Sequence, residues 1–270
     1  AEFLLLKVSD PIVAGCSHEY LHRTKTRKAM SFVTISDEKH VDNMFQAVGY
    51  DGDRAPGKSV LTPGTSGSMQ IEEETELGPD AAAAFRSGAG SGIYYAADAE
   101  EISFAAKECA RKISTPTAEA DVDLRRLARY LWYKRDWVTE NTLDQKVCDA
   151  YRQTRKAVLR VDVDSDWASA RADRRSTSGA RFTVGGFKLH HSCATQPGIQ
   201  SFSSGEAELR ALSRAACDAI WIQGVGHEFG IELDIQIFCD STAAECNAKK
   251  LGPGKMKHLE LAAFAVKEMI

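Results

Sequence analysis

The sequence contains no apolar run approaching the roughly 20 residues that a membrane-spanning helix needs, and no amino-terminal secretory pattern. No membrane partner is therefore expected. Among the seven cysteines (Cys16, Cys109, Cys148, Cys193, Cys217, Cys239 and Cys246) none stands in Cys-x-x-Cys spacing, and their number is odd. That argues against a disulfide framework or a zinc ribbon, and fits reduced thiols in an intracellular protein. There is no overall basic excess, the net charge being -4. A Gly-x-x-x-x-Gly-Lys-Ser/Thr phosphate loop is missing, and no serine or cysteine stands out as an activated nucleophile.

What is present is an ordinary globular composition over 270 residues, 43% hydrophobic and 27% charged, enough for two modest cores. Charge is unevenly spread. Between Lys107 and Arg160 thirteen Lys/Arg face eight Asp/Glu, whereas from Val161 to Ile270 twelve face fourteen. A polyanion partner for the first stretch and a plain solvated helix surface both account for this. The chain opens within a strand-like "AEFLLLKV" and closes within a helix-like "AVKEMI", the pattern expected of a piece of a longer polypeptide.

Residues 1–35 alternate weakly and read as short strands. Over 36–49 the apolar positions Val41, Met44, Phe45 and Val48 predict a helix, with Ser36 as N-cap and Gly49 as stop. Residues 51–80, rich in Gly, Pro, Ser and acid, read as a linker. Two helices are predicted at 81–113 and 117–133, the second capped by Thr117. That second helix has an apolar side (Val122, Leu124, Leu127, Leu131, Trp132) and a basic one (Arg125, Arg126, Arg129). From Ala157 the period becomes strand-like. "KAVLRVDVDSDWAS", "GARFTVGGFKLH" and "GIQSFSS" are strand candidates; a long helix from "SGEAEL", the strand "DIQIFCD", a short helix and a last helix follow. This is a mixed α/β order with a boundary near residue 156.

Carboxylates carry the chemistry. Asp162, Asp164 and Asp166 alternate along the first strand and so share one face. Glu206 and Glu208, two apart on a helix, cannot share a site. Glu208 heads the stripe Ala211, Leu212, Ala215, Ala216, Ala219, Ile220, which is expected to pack on the sheet, while Glu206 is expected to be solvated. Asp240 closes a strand, where sites of α/β sheets gather, although a helix cap explains an aspartate there equally well. A buried acid is costly unless paired or metal-bound. Acids from two strand ends and a helix suit hard divalent cations such as Mg²⁺, and two such ions suit attack of water on a phosphodiester. An EF-hand reading of "DVDSDWASARAD" fails, because Trp167 stands where a sharp turn needs Gly and Asp173 where Glu is usual.

In order and spacing, "DVDSDWASARADRRSTSGARFTVGG", "QPGIQSFSSGEAELRAL", "IFCDSTAA" and "KMKHLEL" resemble the ribonuclease H domain of copia-type LTR retrotransposon Pol polyproteins. The "FRSGAGSGIYY…LARYL" stretch resembles the segment joining reverse transcriptase to that domain, and "DEKHVDNMFQAVGYDG…VLTPG" the end of the polymerase part. The resemblance implies an α/β fold: a ribonuclease H-like mixed five-stranded sheet over 157–270, preceded by a smaller, mostly helical part. That part divides into a reverse transcriptase remnant with its linker (1–80) and a thumb- or connection-like segment (81–156).

The implied activity is cleavage of the RNA strand of RNA–DNA hybrids with two Mg²⁺ ions, or Mn²⁺ in their place. Asp164, Glu208, Asp240 and Glu260 are the implied metal ligands, with His258 assisting proton transfer or product release. Asp164 is expected in the middle of its strand, with Asp162 and Asp166 toward the ends. Phosphate contacts are expected from Arg174, Arg175, Ser176, Thr177, Lys255, Lys257 and the Arg125, Arg126, Arg129 face. Implied partners are the hybrid and the rest of the polyprotein, namely polymerase palm and fingers and integrase, in a cytoplasmic particle or the nucleus. The chain departs from the family pattern in three ways. Glu260 stands where Asp is usual, Gly224 and Gly226 interrupt the main helix, and the Tyr-x-Asp-Asp polymerase motif is absent. These departures leave a catalytically decayed nucleic-acid-binding remnant as the alternative.

Overall fold

The structure is a computed structural model that describes residues 12–50, 57–65, 75–170 and 173–242. Glu260, His258, Lys255 and Lys257 lie outside the described residues.

The amino-terminal half joins a small antiparallel sheet to a helical cluster. Strands β1 (Ser17–Tyr20), β2 (Arg23–Arg27) and β3 (Ser31–Ile35) form a meander, and β4 (Thr139–Thr142) returns more than a hundred residues later to pair with β3. Helix α1 (Glu38–Ala47) buries Val41, Met44 and Phe45, as the spacing predicts. Its N-cap is Asp37, not Ser36, the carboxylate accepting from the Lys39 N–H at 3.0 Å. The helix expected at 81–113 is broken. It forms α2 (Pro79–Ala96), a short 3-10 turn (Glu100–Ile102) and α3 (Ser103–Arg111). At the break, Asp98 turns to meet Arg23 of β2 at 2.7 and 2.8 Å, an ion pair that a continuous helix would have to forgo. Helix α4 (Ala118–Trp132) is capped by Thr117. It buries Leu124, Leu127, Leu131 and Trp132, while Val122, expected on the apolar side, is exposed.

The second half is built on a mixed sheet. Helix α5 (Gln145–Thr154) leads into β5 (Lys156–Asp166), followed by β6 (Thr177–Val184), β7 (Phe187–Thr195), the long helix α6 (Ser204–Glu228) and β8 (Glu232–Cys239). The strand order is β7-β6-β5-β8, antiparallel except that β8 runs parallel to β5. Alternation along β5 sends Ala157, Leu159, Val161 and Val163 toward α6, where they meet Ala211, Ala215, Ala219 and Ile222. Each such burial contributes roughly 1.5–3 kcal/mol. Ile220, expected in that stripe, points outward.

The stretch "GARFTVGGFKLH" is a hairpin and not one strand, because Gly185 and Gly186 both take positive φ (56° and 83°), the geometry of a tight strand-matching turn. The third strand is consequently β7, and "GIQSFSS" is the approach to α6. Among the described residues the sheet has four strands.

Candidate metal centre

Topology brings the acids together before any side chain is considered. Because β5 and β8 are parallel neighbours with Val163 opposite Cys239, Asp164 and Asp240 stand side by side at the carboxyl ends of the two strands. Helix α6 connects β7 to β8 and runs back along the sheet, so its first turns, carrying Glu208, lie at that same end. Asp164 is thus near the end of β5 and not in its middle: all three aspartates fall within the last five residues of the strand. They are also unequal. Asp162 is held by Arg160 through three contacts of 2.6–3.0 Å, and Arg160 lies over the Phe238 ring, so this carboxylate is already neutralised. Asp164 and Asp166 are exposed.

Glu208 is only 7% exposed, yet no basic side chain is bonded to it among the described residues. A carboxylate oxygen of Glu208, one of Asp240 and the sulfur of Cys239 lie within 4.8 Å of one another, with Cys239 Sγ 3.7 Å from Glu208 Oε2. Burial pushes the Glu208 carboxyl above its ordinary range, and the neighbouring charges of Asp164 and Asp240 push the same way, against a Ser165 N–H. Burial likewise raises the Cys239 thiol, with Glu208 and Asp240 adding to it. A cation would offset the cost of burying Glu208, and a set dominated by carboxylate oxygens fits a hard divalent ion. Glu208 and Asp240 therefore fit the implied metal, while exposed Asp164, at the end of the neighbouring strand, lies outside the group whose atoms come within 4.8 Å of one another. Cys239 was not singled out in the sequence. Its one signal there is its place just before Asp240, which alternation turns toward α6.

Glu206 corrects a second expectation. It is 1% exposed, pairs with Arg210 at 2.8 Å, and accepts from the Phe202 N–H at 2.9 Å. The stretch ahead of α6 folds over that side of the helix, which helical periodicity alone leaves open to water. Gln196 bonds Ser178 Oγ at 2.9 Å and the Ala207 carbonyl at 2.8 Å, closing the same side.

The expected phosphate contacts divide. Arg174 and Arg175 are exposed on the β5–β6 connection. Ser176 and Thr177 are buried and spoken for: Ser176 Oγ accepts from the Ala168 N–H at 3.1 Å, and Thr177 Oγ1 from Lys107 Nζ at 2.6 Å. Their hydroxyls hold the fold and face no phosphate. On α4, Arg125 pairs with Asp121 at 2.7 Å and bonds the Val48 carbonyl at 2.8 Å, and Arg126 bonds Thr62 Oγ1 at 2.9 Å. Arg129 is half-buried. Arg125 and Arg126 are thus stitched to the chain around them.

The second half is thus a mixed α/β unit, with the first and fourth strands of its sheet parallel, a long helix between the third and fourth, and acids at the carboxyl strand ends. The chain is similar to retrovirus-related Pol polyproteins of transposons. It is 28% identical over 218 residues to the Pol polyprotein from transposon RE2 of Arabidopsis thaliana (79% of this chain, 14% of that protein). It is 24% identical over 295 residues to that from transposon RE1 (99% and 19%). An uncharacterized mitochondrial protein of the same plant is 32% identical over 137 residues, covering 51% of this chain and 52% of that protein. The chain thus spans less than a fifth of the length of the two polyproteins. No family model matches it. Among solved structures, a ribonuclease H1 isolated from compost by a metagenomic approach is similar at 21% identity over 43% of this chain and 76% of that one, with a TM-score of 0.30.

Proposed function

We propose that the chain is the ribonuclease H-bearing piece of a transposon Pol polyprotein, cleaving the RNA strand of RNA–DNA hybrids with divalent metal. The observation that carries this reading is the meeting of buried Glu208 with Asp240 near Asp164 at the ends of two parallel strands. Asp164, Glu208 and Asp240 would hold the ions, Mg²⁺ or Mn²⁺, which when bound activate water and steady charge on the phosphate. Glu208, buried, sets the depth of the site, and exposed Asp164 and Asp240 leave it open to a backbone phosphate. Arg174 and Arg175, on the connection leaving β5, are the described cations suited to neighbouring phosphates. Recognition would rest on duplex shape, phosphates and 2′-hydroxyls. The division near residue 156 is part of this proposal, with one buried cluster formed within 41–132 and another within 157–233. So are the rest of the polyprotein as partner and a cytoplasmic particle or the nucleus as location. Among the described residues no helix is long and apolar enough to cross a membrane.

The test is cleavage of a labelled RNA–DNA hybrid in Mg²⁺ or Mn²⁺ by the chain and by Asp240→Asn. Removal of one ligand is expected to lower cleavage by at least about a hundredfold. Equal cleavage by the variant would remove Asp240 from the site. Hybrid binding without turnover by the unaltered chain would select the decayed remnant.

A further inference from the structure

We infer that Lys107 and Arg111, on α3 and outside the mixed-sheet half, are positioning residues that hold the acidic site in register; this rests on the metal-dependent reading above. Both cations reach from the helical cluster onto the β5–β6 connection. The Arg111 guanidinium forks onto Asp173, with Nη2 at 2.9 and 2.8 Å from the two carboxylate oxygens. Lys107 is 8% exposed, a costly place for an ammonium unless it is fully used. It is used: Nζ lies 2.5 Å from Glu108 Oε1, donates to Thr177 Oγ1 at 2.6 Å, and sits 4.6 Å from the centre of the Phe104 ring.

What these contacts hold decides the inference. Thr177 is the β6 partner of Asp166, and Gly179, two residues on, is the partner of Asp164. Lys107 therefore grips the strand beside Asp164 where β5 ends. Asp173 accepts the Arg175 N–H at 3.2 Å, and its carbonyl accepts from Gln200 Nε2 at 2.6 Å. Gln200 leads directly to Ser201, whose carbonyl accepts the Trp167 indole N–H at 3.0 Å, and to Phe202, bonded to Glu206. Through Asp173, Arg111 thus ties the segment after β5 to the segment before α6. Those are the two pieces of chain that bring Asp164 and Glu208 to the same place. A metal site tolerates about 0.5 Å of ligand displacement, so a latch on the segments that carry its ligands is enough to set affinity.

The experiment measures Mn²⁺ affinity by electron paramagnetic resonance of free Mn²⁺. It uses the full chain, Arg111→Gln, Asp173→Asn, the double variant and Lys107→Met, with a thermal melt of each. Arg111→Gln and Asp173→Asn are each expected to weaken Mn²⁺ about tenfold while still melting cooperatively. Because Asp173 also meets Arg175, at 3.5 Å, the double variant is expected to be no weaker than Asp173→Asn alone. If Arg111→Gln does not fold, Asp173→Asn carries the test from the other end. Variants that bind Mn²⁺ as tightly as the unaltered chain overturn the inference. An unaltered chain that binds no Mn²⁺ overturns the metal-dependent reading itself, and with it this latch.

Discussion

At the scale of single residues, two glutamates two positions apart have different tasks. Glu208 faces Cys239 and Asp240, with no basic side chain bonded to it among the described residues, whereas Glu206 is buried against Arg210 and the Phe202 N–H. Sequence reasoning picks Glu208 correctly as the head of a buried stripe. It misplaces Glu206 because helical periodicity is blind to a loop folding over the far side. A buried ion pair that loses one partner leaves an uncompensated charge. Glu206→Ala is accordingly expected to destabilise the chain by about 3 kcal/mol, read by urea unfolding. The three aspartates of "VDVDSD" look equivalent by alternation alone. Asp162 is separated from the others by Arg160, a contact of residues two apart on one strand that is visible in the sequence once the face is assigned.

At the scale of elements, types were more legible than limits. Helix α1, the capped α4, β5, α6 and β8 follow from apolar period and capping residues. The hairpin of β6 and β7 hides in one apparent strand because its turn is only Gly185–Gly186, and "GIQSFSS" alternates without having a sheet neighbour. The glycines late in α6 show why composition misleads. A Cβ on Gly226 would stand 2.9 Å from Leu233 Cδ1 and 3.1 Å from the Ile231 carbonyl, so this glycine lets the helix close onto β8. It is required by packing and is no mark of decay. A Cβ on Gly224 would meet nothing within 4 Å. The two alanine substitutions are therefore expected to differ in sign. Gly224→Ala should stabilise by about 1 kcal/mol through helix propensity. Gly226→Ala should destabilise by about 1–2 kcal/mol through overpacking. Thermal melts of the two single variants check this.

At the scale of the whole molecule, the helical half and the mixed sheet are joined by charge. Arg111–Asp173, Lys107–Thr177 and the contacts of Glu100 with Arg181 and Lys188 all cross between them. Much of the positive charge that suggested a polyanion partner for 107–160 is used this way or in local pairs such as Arg152–Asp149 and Arg160–Asp162. Counting charges along a chain cannot reveal that, since the partners lie up to 70 residues apart. The nearness of Glu208 and Asp240 was legible in outline for the opposite reason. Strand-end and helix-start positions are local signals, and the parallel pairing of β5 with β8 then leaves Asp164, Asp240 and Glu208 little choice of place. The central claim is that these three acids form one divalent-metal site. Calorimetric titration of Mn²⁺ into the full chain, Asp164→Asn and Glu208→Gln tests it most directly. The unaltered chain is predicted to bind, and each variant to bind at least about tenfold more weakly. Mn²⁺ binding that is absent from the unaltered chain, or unchanged in both variants, would contradict it.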